Sequence, residues 1–379
     1  MTRNMTSLGE VAQFINGAAF KPEDWGDSGF PIIRIQNLTD ASKPFNRTTR
    51  TVAEKLQVHP GDLLVSWSAT LGVFTWNRPE IGLLNQHIFR VVPDESKVDK
   101  AYLRLALSGA LSAMQKHLHG ATMQHVNRGE FLGTPLYLPP LEEQRRIAAI
   151  LDQAETLRTQ RRTALALLDC LTQSLFLDMF GDPVANPKGW PVKPVSSLGK
   201  VVTGNTPSRD VPAYYGNSVE WIKSDNLNTP HYYVTNATEG LSEAGKAVGR
   251  LVPPNSILVT CIAGSPDCIG NAAMADREVA FNQQINAFIP VELDAHFAYA
   301  QIVVGKKLIQ GASTNGMKGM VSKSRFEAIE FMVPPLPLQQ TFATRIASIE
   351  ALKATHRRAL AALDALFASL QQRAFAGQL

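Results

Sequence analysis

The sequence predicts an α+β protein: two mixed α/β domains separated by two long antiparallel helices that form a coiled-coil spacer, arranged as an internal repeat with a pseudo-two-fold axis. Three observations predict it. Pro139-Pro140-Leu141-Glu142-Glu143-Gln144 returns 195 residues later as Pro334-Pro335-Leu336-Pro337-Leu338-Gln339, and internal repetition has to be settled before any fold. Each copy opens a stretch of roughly 40 residues with apolar side chains at alternating three- and four-residue steps, the signature of a helical seam. Short apolar runs punctuated by Gly, Pro, Asn and Asp precede each copy and read as strands.

In the first copy the seam runs Ile147, Ile150, Ala154, Leu157, Arg161, Ala164, Leu168, Leu171 and Leu175. The same offset places Phe342, Ile349, Leu352, His356, Ala359, Leu363, Leu366 and Leu370 on the second seam, and Leu157/Leu352, Arg162/Arg357, Asp169/Asp364 and Phe180/Phe375 match by type. At about 1.5 Å per residue each helix is about 60 Å long, well beyond an ordinary globular helix. Such a helix cannot bury its stripe alone, and the simplest partner is the other copy. Connectivity makes the pair antiparallel. Arg161 and His356 share one seam position, either as a polar layer that sets register or as a snorkelling Arg and a satisfied His.

The chain therefore divides into a first domain at 1–138, a first spacer helix at 139–181, a linker and second domain at 182–333, and a second spacer helix at 334–379. In the first domain strands are expected at 30–35, 62–67 and 87–92, followed by a helix at 100–117. The second repeats this plan at 219–224, 256–260 and 282–285, with a helix at 297–309. Ser7-Leu8-Gly9 answers Ser197-Leu198-Gly199, Asn37-Leu38 answers Asn226-Leu227, Leu64-Val65 answers Leu258-Val259, and Asn85-Gln86 answers Asn282-Gln283.

At 379 residues, 45% hydrophobic and 18% charged, the chain can bury a large core across two to three domains. A net charge of +4 permits a polyanionic partner without demanding one. Three cysteines, Cys170, Cys261 and Cys268, form neither a zinc pattern nor a disulfide framework, which points to a reducing cytoplasm. No signal region and no stretch of membrane-span length is expected.

The catalytic motifs that nearly occur each fail on mechanism. Gly311 to Gly316 has phosphate-loop spacing, but Met317 and Lys318 stand where Lys and Ser/Thr would contact phosphate and magnesium. Asp94, Glu95 and Lys97 are compressed into one turn rather than converging from separate strands. Asn186-Pro187-Lys188 falls short of the Asn/Asp-Pro-Pro-Tyr/Phe run of adenine methyltransferases. His117, His119 and His125 have no carboxylate or Cys partners in their vicinity for a metal. No catalytic, cofactor-binding or metal-binding residue is assigned. What remains is polar and aromatic residues at strand ends and turns, where rigid scaffolds carry function. Arg, Lys, Asn and Gln read base edges in the major groove. The DNA-binding candidates are Lys21, Arg34, Gln36, Asn37, Trp67, Ser68, Asn85, Gln86 and His87 in the first domain, and Arg209, Lys223, Ser224, Asp225, Asn226, Asn282, Gln283, Gln284 and Lys318 in the second. Positions that differ between copies, Arg34 against Lys223 and His87 against Gln284, are the stronger discriminators.

The Leu8-Gly9 and Leu198-Gly199 domain starts, the 139–147 helix start, and Phe180-Gly181-Asp182-Pro183 with Asn186-Pro187-Lys188-Gly189-Trp190 at the junction together resemble the DNA-specificity subunit of Type I restriction-modification systems. The likeness spans almost the whole chain. The second helix departs from it at Pro337-Leu338 and Gln340-Thr341. The resemblance implies two target-recognition domains, each reading half of a split, asymmetric site on double-stranded DNA. It implies a subunit without catalysis of its own. Its partners would be two adenine-N6 methyltransferase subunits using S-adenosylmethionine and two ATP-dependent, Mg-requiring restriction/translocase subunits in a bacterial cytoplasm. The rival readings are a protein-interaction adaptor with a coiled-coil spacer and an enzyme with an unfamiliar histidine site.

Overall fold

The computed structural model describes residues 4–117, 128–314 and 319–379, and side chains within 115–117 are left aside. The chain forms two compact units, Met1–Gln160 with Leu360–Leu379, and Arg161–Ala359. Two helices of 40 residues each, α1 (Leu141–Phe180) and α2 (Leu336–Phe375), account for the long periodic stretches. Each helix contributes to both units, α1 dividing at Gln160/Arg161 and α2 at Ala359/Leu360, so the compact bodies do not follow the four sequence segments.

The same scaffold is built twice. In the first unit one sheet has the order Ala12–Asn16, Ile88–Pro93, Leu63–Ser66, Gly72–Thr75, and a second the order Arg47–Thr48, Phe30–Ile33, Gly82–Leu84, Gln57–Val58. The second unit repeats both orders with Gly199–Thr203, Ile285–Pro290, Ile257–Thr260, Ala272–Met274, and with Gly240–Leu241, Tyr215–Ile222, Val279–Phe281, Leu251–Val252. Alternating faces bury Leu63, Val65, Phe89 and Val91 against Tyr102 and Leu103 of the Lys100–His117 helix, and Ile257, Val259 and Phe288 against Phe297 and Ala298.

Strand register corrects two readings of the repeat. Ala12 pairs with Pro93 as Gly199 pairs with Pro290, so Leu198-Gly199 answers Val11-Ala12 rather than Leu8-Gly9. This alignment brings Gly17 opposite Gly204. A Cβ on Gly17 would lie 2.0 Å from the carbonyl oxygen of Asn85, and one on Gly204 would lie 2.1 Å from that of Asn282. Only glycine permits that approach. Residues 282–284, expected as strand, are the turn into Ile285–Pro290, because Gln284 N–H bonds Asn282 Oδ1 at 3.1 Å and closes the chain on itself.

The duplicated helix start has a specific job. Gln144 is fully buried; its Nε2 donates to the carbonyls of Lys97 (2.9 Å) and Pro139 (2.8 Å), and its Oε1 accepts from Asp99 N–H at 2.8 Å. Gln339 does the same, from Nε2 to Pro334 carbonyl at 2.7 Å and from Asp294 N–H to Oε1 at 2.9 Å. Asp99 and Asp294 in turn accept from the second and third backbone amides of the Lys100–His117 and Ala295–Val304 helices. Each long helix is thereby fastened to the neighbouring domain helix at its own first turn.

Within each unit α1 and α2 run antiparallel. In the first, Arg146 Nη2 reaches the Leu379 carbonyl at 3.1 Å and Arg158 Nε meets Asp364 at 2.5 Å. In the second, Arg161 Nη1 lies 3.2 Å from His356 Nδ1, Lys353 Nζ lies 2.8 Å from Asp169, and Phe176 packs on Phe342. The seam differs in phase from the expected one. Ile147, Ala154 and Phe342 are buried, and Ile150, Arg161, Leu168, Leu175, Ile349, His356, Leu363 and Leu370 are half-buried. Leu157, Leu171, Leu352 and Leu366 are exposed, at 38%, 48%, 47% and 49%. The inward positions lie one residue further on, at Leu151, Arg158, Thr172, Lys353 and Phe367. Charged and hydroxyl side chains occupy three of these five positions, and Leu157, Leu171 and Leu352 sit just outside those three. Arg158 is matched there by Asp364 and Glu155 and lies 4.4 Å from the Phe367 ring centroid, and buried Lys353 is matched by Glu350 and Asp169.

Against expectation, one 18-residue window of α1 reaches a mean hydropathy of 1.3 and is long and apolar enough to cross a membrane by composition. Its leucines divide between the α2-facing side and exposed positions such as Leu167, at 65%.

Replacing Gln339 by Ala strands the Asp294 amide and the Pro334 carbonyl in a buried site, at a cost of about 1–3 kcal/mol. Urea unfolding of Q339A against the parent chain should show that loss, and an unchanged midpoint would refute the fastening role.

Candidate nucleic-acid interface

The parallel strand pair in each unit positions the candidate residues. Ile32 and Ile33 pair with Leu83 and Leu84, and their C-terminal ends deliver Arg34 and Asn85 to one edge. Trp221 and Ile222 pair with Ala280 and Phe281 and deliver Lys223 and Asn282. Open sheets commonly bind ligands outside the carboxyl ends of parallel strands.

In the first unit this edge is a cleft of about 470 Å³ that brings together Arg34, Gln36, Asn85, Gln86 and His87. His87 (φ 69°) and Ala69 (φ 59°), both non-glycine residues in the left-handed region, line it. Such strain persists where the surroundings over-determine it and is concentrated at functional sites. The Arg34 guanidinium lies 5.2 Å from the Trp25 ring centroid. Trp67 stacks on Phe89 and donates from Nε1 to Asn16 at 3.3 Å, with His87 against its edge. The remaining candidates are not brought into the cleft. Ser68 is buried, and Lys21 is an exposed residue beside Glu23.

Asn37 is scaffold. It is buried, its Oδ1 accepts from Arg34 N–H at 3.2 Å, and its Nδ2 donates to the carbonyls of Lys43 and Pro44. Asn226 repeats this, accepting from Lys223 N–H at 3.0 Å and donating to Thr235 Oγ1 and the Asn236 carbonyl. Both Asn side chains set the backbone that presents Arg34 or Lys223, and neither is free to read a base.

In the second unit Arg209 and Lys223 converge over two aromatic rings. The Arg209 guanidinium lies 4.3 Å from the Tyr215 centroid and 5.2 Å from that of Trp221, and Lys223 Nζ lies 5.1 Å from Trp221. Glu239, which the sequence reading did not single out, bridges them: one carboxylate oxygen lies 2.7 Å from Arg209 Nη2 and the other contacts Lys223 Nζ. The Lys223 ammonium, then the Arg209 guanidinium, hold the Glu239 carboxyl below the usual carboxylate range. Gln284 Oε1 is bound by Ser224 Oγ (3.2 Å) and Asn282 Nδ2 (3.0 Å), and Thr206 donates to exposed Gln283. Asp225 is exposed. Lys318, and His119 and His125, lie outside the described residues, as does the His117 side chain. Asp94 is occupied within its own turn by Ser96 and Lys97. Among the described residues no group of three His, Cys, Asp or Glu could hold a metal.

The same edge of the same scaffold thus carries Arg34 with Asn85 and Gln86 in the first unit, and Lys223 and Arg209 with exposed Gln283 in the second, where Asn282 is buried and bonded to Gln284; cations and amides together suit phosphates and base edges. Two solved structures share this fold over 99% of the chain. One is described as the S subunit of a Type-I restriction-modification system from M. genitalium (13% identity, 96% of that chain, TM-score 0.61). The other comes from a study of complex assembly and conformational transition of the type I R-M system (17% identity, 98% of that chain, TM-score 0.55). The family model for the Type I restriction modification DNA specificity domain matches residues 3–166 and again 187–364. The chain belongs to this family and carries two of its domains. Similar curated proteins are the EcoBI specificity subunit of Escherichia coli, 32% identical over 171 residues (45% of this chain, 35% of the relative), and the HindI specificity subunit of Haemophilus influenzae, 30% over 169 residues (43% and 36%). The chain thus spans about a third of the length of these relatives. The MjaVIII specificity subunit of Methanocaldococcus jannaschii is 21% identical over 91% of this chain and 85% of the relative.

Asn226→Ala should destabilise the second unit by about 1–3 kcal/mol, the range for unpaired buried polar groups, whereas Gln283→Ala should stay within about 0.5 kcal/mol as an exposed substitution. Denaturation followed by Trp221 fluorescence checks both; equal effects would contradict the division between scaffold and tip.

Proposed function

We propose that this chain supplies the sequence specificity of a Type I restriction-modification complex by reading a bipartite, asymmetric site on duplex DNA, one half-site per domain. The observation that carries this reading is one scaffold built twice with different side chains at the same edge: Arg34 and His87 in one copy, Lys223 and Gln284 in the other. A single duplicated reader would recognise a symmetric site. Divergent tips on matched frames give two unrelated half-sites.

The two 40-residue helices act in this reading as a spacer. At roughly 60 Å each, they suffice to hold readers about one DNA turn, roughly 34 Å, apart. Chemistry is left to partners in the cytoplasm. Two adenine-N6 methyltransferase subunits would bring S-adenosylmethionine, and two restriction/translocase subunits would bring ATP and Mg, with this chain as their scaffold. Phosphate contacts shared with those subunits accord with the modest net charge of +4.

Inserting a matched four-residue turn into α1 and α2 adds about 6 Å. It should lengthen the unread gap by roughly two base pairs, at about 3.4 Å each, and leave both half-sites unchanged, as read by binding selection from a random duplex pool. Altered half-sites would refute the spacer. In the same assay Arg34→Ala should relax one half-site only, and relaxation of both would refute modular reading.

A further inference from the structure

The Arg209, Lys223 and Glu239 cluster has a counterpart in the first unit that differs in one telling respect. Register fixes the correspondence. Ile32 N–H bonds the Asn46 carbonyl at 2.8 Å, and Trp221 N–H bonds the Glu239 carbonyl at 3.0 Å; Phe30 pairs with Thr48 as Val219 pairs with Leu241. Asn46 and Glu239 are therefore equivalent positions, two residues before the strand partners of the cation-bearing strands. The first copy has a neutral amide there, and Arg34, whose guanidinium lies over the Trp25 ring, makes no ion pair among the described residues. The second copy has a carboxylate that engages both of its cations.

The geometry of that carboxylate resembles a bound phosphate. Two oxygens are shared between a guanidinium and an ammonium, both held over aromatic faces, and the cluster stays open to solvent: the Arg209, Glu239 and Lys223 side chains are 55%, 36% and 29% exposed. A phosphate oxygen approaching from solvent meets the same donors.

We propose that Glu239 is an internal competitor for DNA phosphate. It occupies Arg209 and Lys223 in the free chain and yields them when duplex DNA arrives, so the second domain binds sequence-independent DNA more weakly than its cation count alone allows. This inference rests on the DNA-reading function proposed above. The exchange is a swap of one anion for another. Each phosphate contact releases a counterion from the duplex, and the freed Glu239 carboxylate takes one up again, which lowers the net release by about one.

The test measures binding of the full chain, as wild type and E239Q, to a duplex of random sequence across a salt series. E239N, which installs the residue of the first copy, serves as the second variant if Gln is not accommodated. Thermal melting confirms folding of each. The expected result is three- to tenfold tighter binding by either variant at about 0.1 M salt, the span set by two partly exposed ion pairs, with a slope of log affinity against log salt steeper by about one. If wild type binds with steep salt dependence, R209A and K223A weaken it, and E239Q and E239N match or fall below wild type, the competitor is overturned and the DNA reading stands. If wild type shows no salt-dependent binding to duplex at all, both fail together.

Discussion

The structure depends on one buried amide used twice. Gln144 and Gln339 each tie the first turn of a 40-residue helix to the N-terminus of a domain helix through bonds of 2.7–2.9 Å. The amide acts where the helix meets the globular body, and because its Nε2 and Oε1 are both bonded in a buried site, rotating the helix about that point would strand several polar groups at once. The two prolines ahead of each Gln complete the device by fixing the chain that leads into the helix: the first proline's carbonyl accepts from the Gln side chain and the second's accepts from the Gln backbone N–H.

The helix pairs continue the same economy of polar groups in apolar surroundings. Arg158 with Asp364, Arg161 with His356, and Lys353 with Asp169 and Glu350 place charge and hydrogen bonding in a seam that would otherwise slide between equivalent leucine registers. Buried polar residues are best attested as devices that fix register, and register is what a helix pair must hold if its length is to mean anything.

Much of this was legible in the sequence, and the reasons for what was not are physical. The duplicated Pro-Pro-Leu-x-x-Gln stood out because one buried geometry admits few alternatives. The phase of the seam did not, because Arg158, Thr172 and Lys353 face inward while Leu157, Leu171 and Leu352 sit beside them outside, so a search for apolar residues selects the wrong neighbour. Asn37 and Asn226 were visible as a matched pair, but only the hydrogen bonds show that matching here means scaffold. Glu239 was out of reach: it lies sixteen positions beyond Lys223 in the chain, and only strand pairing makes it the counterpart of Asn46. The Gly17 and Gly204 contacts were hidden likewise, since an offset that drifts along the repeat aligned a more conspicuous Leu-Gly instead.

The central claim, one chain with two unlike readers on a common frame, is tested most directly by mapping methylated adenines across the genome of cells with and without this chain. The account predicts a chain-dependent motif of two unrelated short blocks separated by a run of unspecified bases of fixed length. A single contiguous motif, a palindrome, or a methylation pattern indifferent to the chain would contradict it.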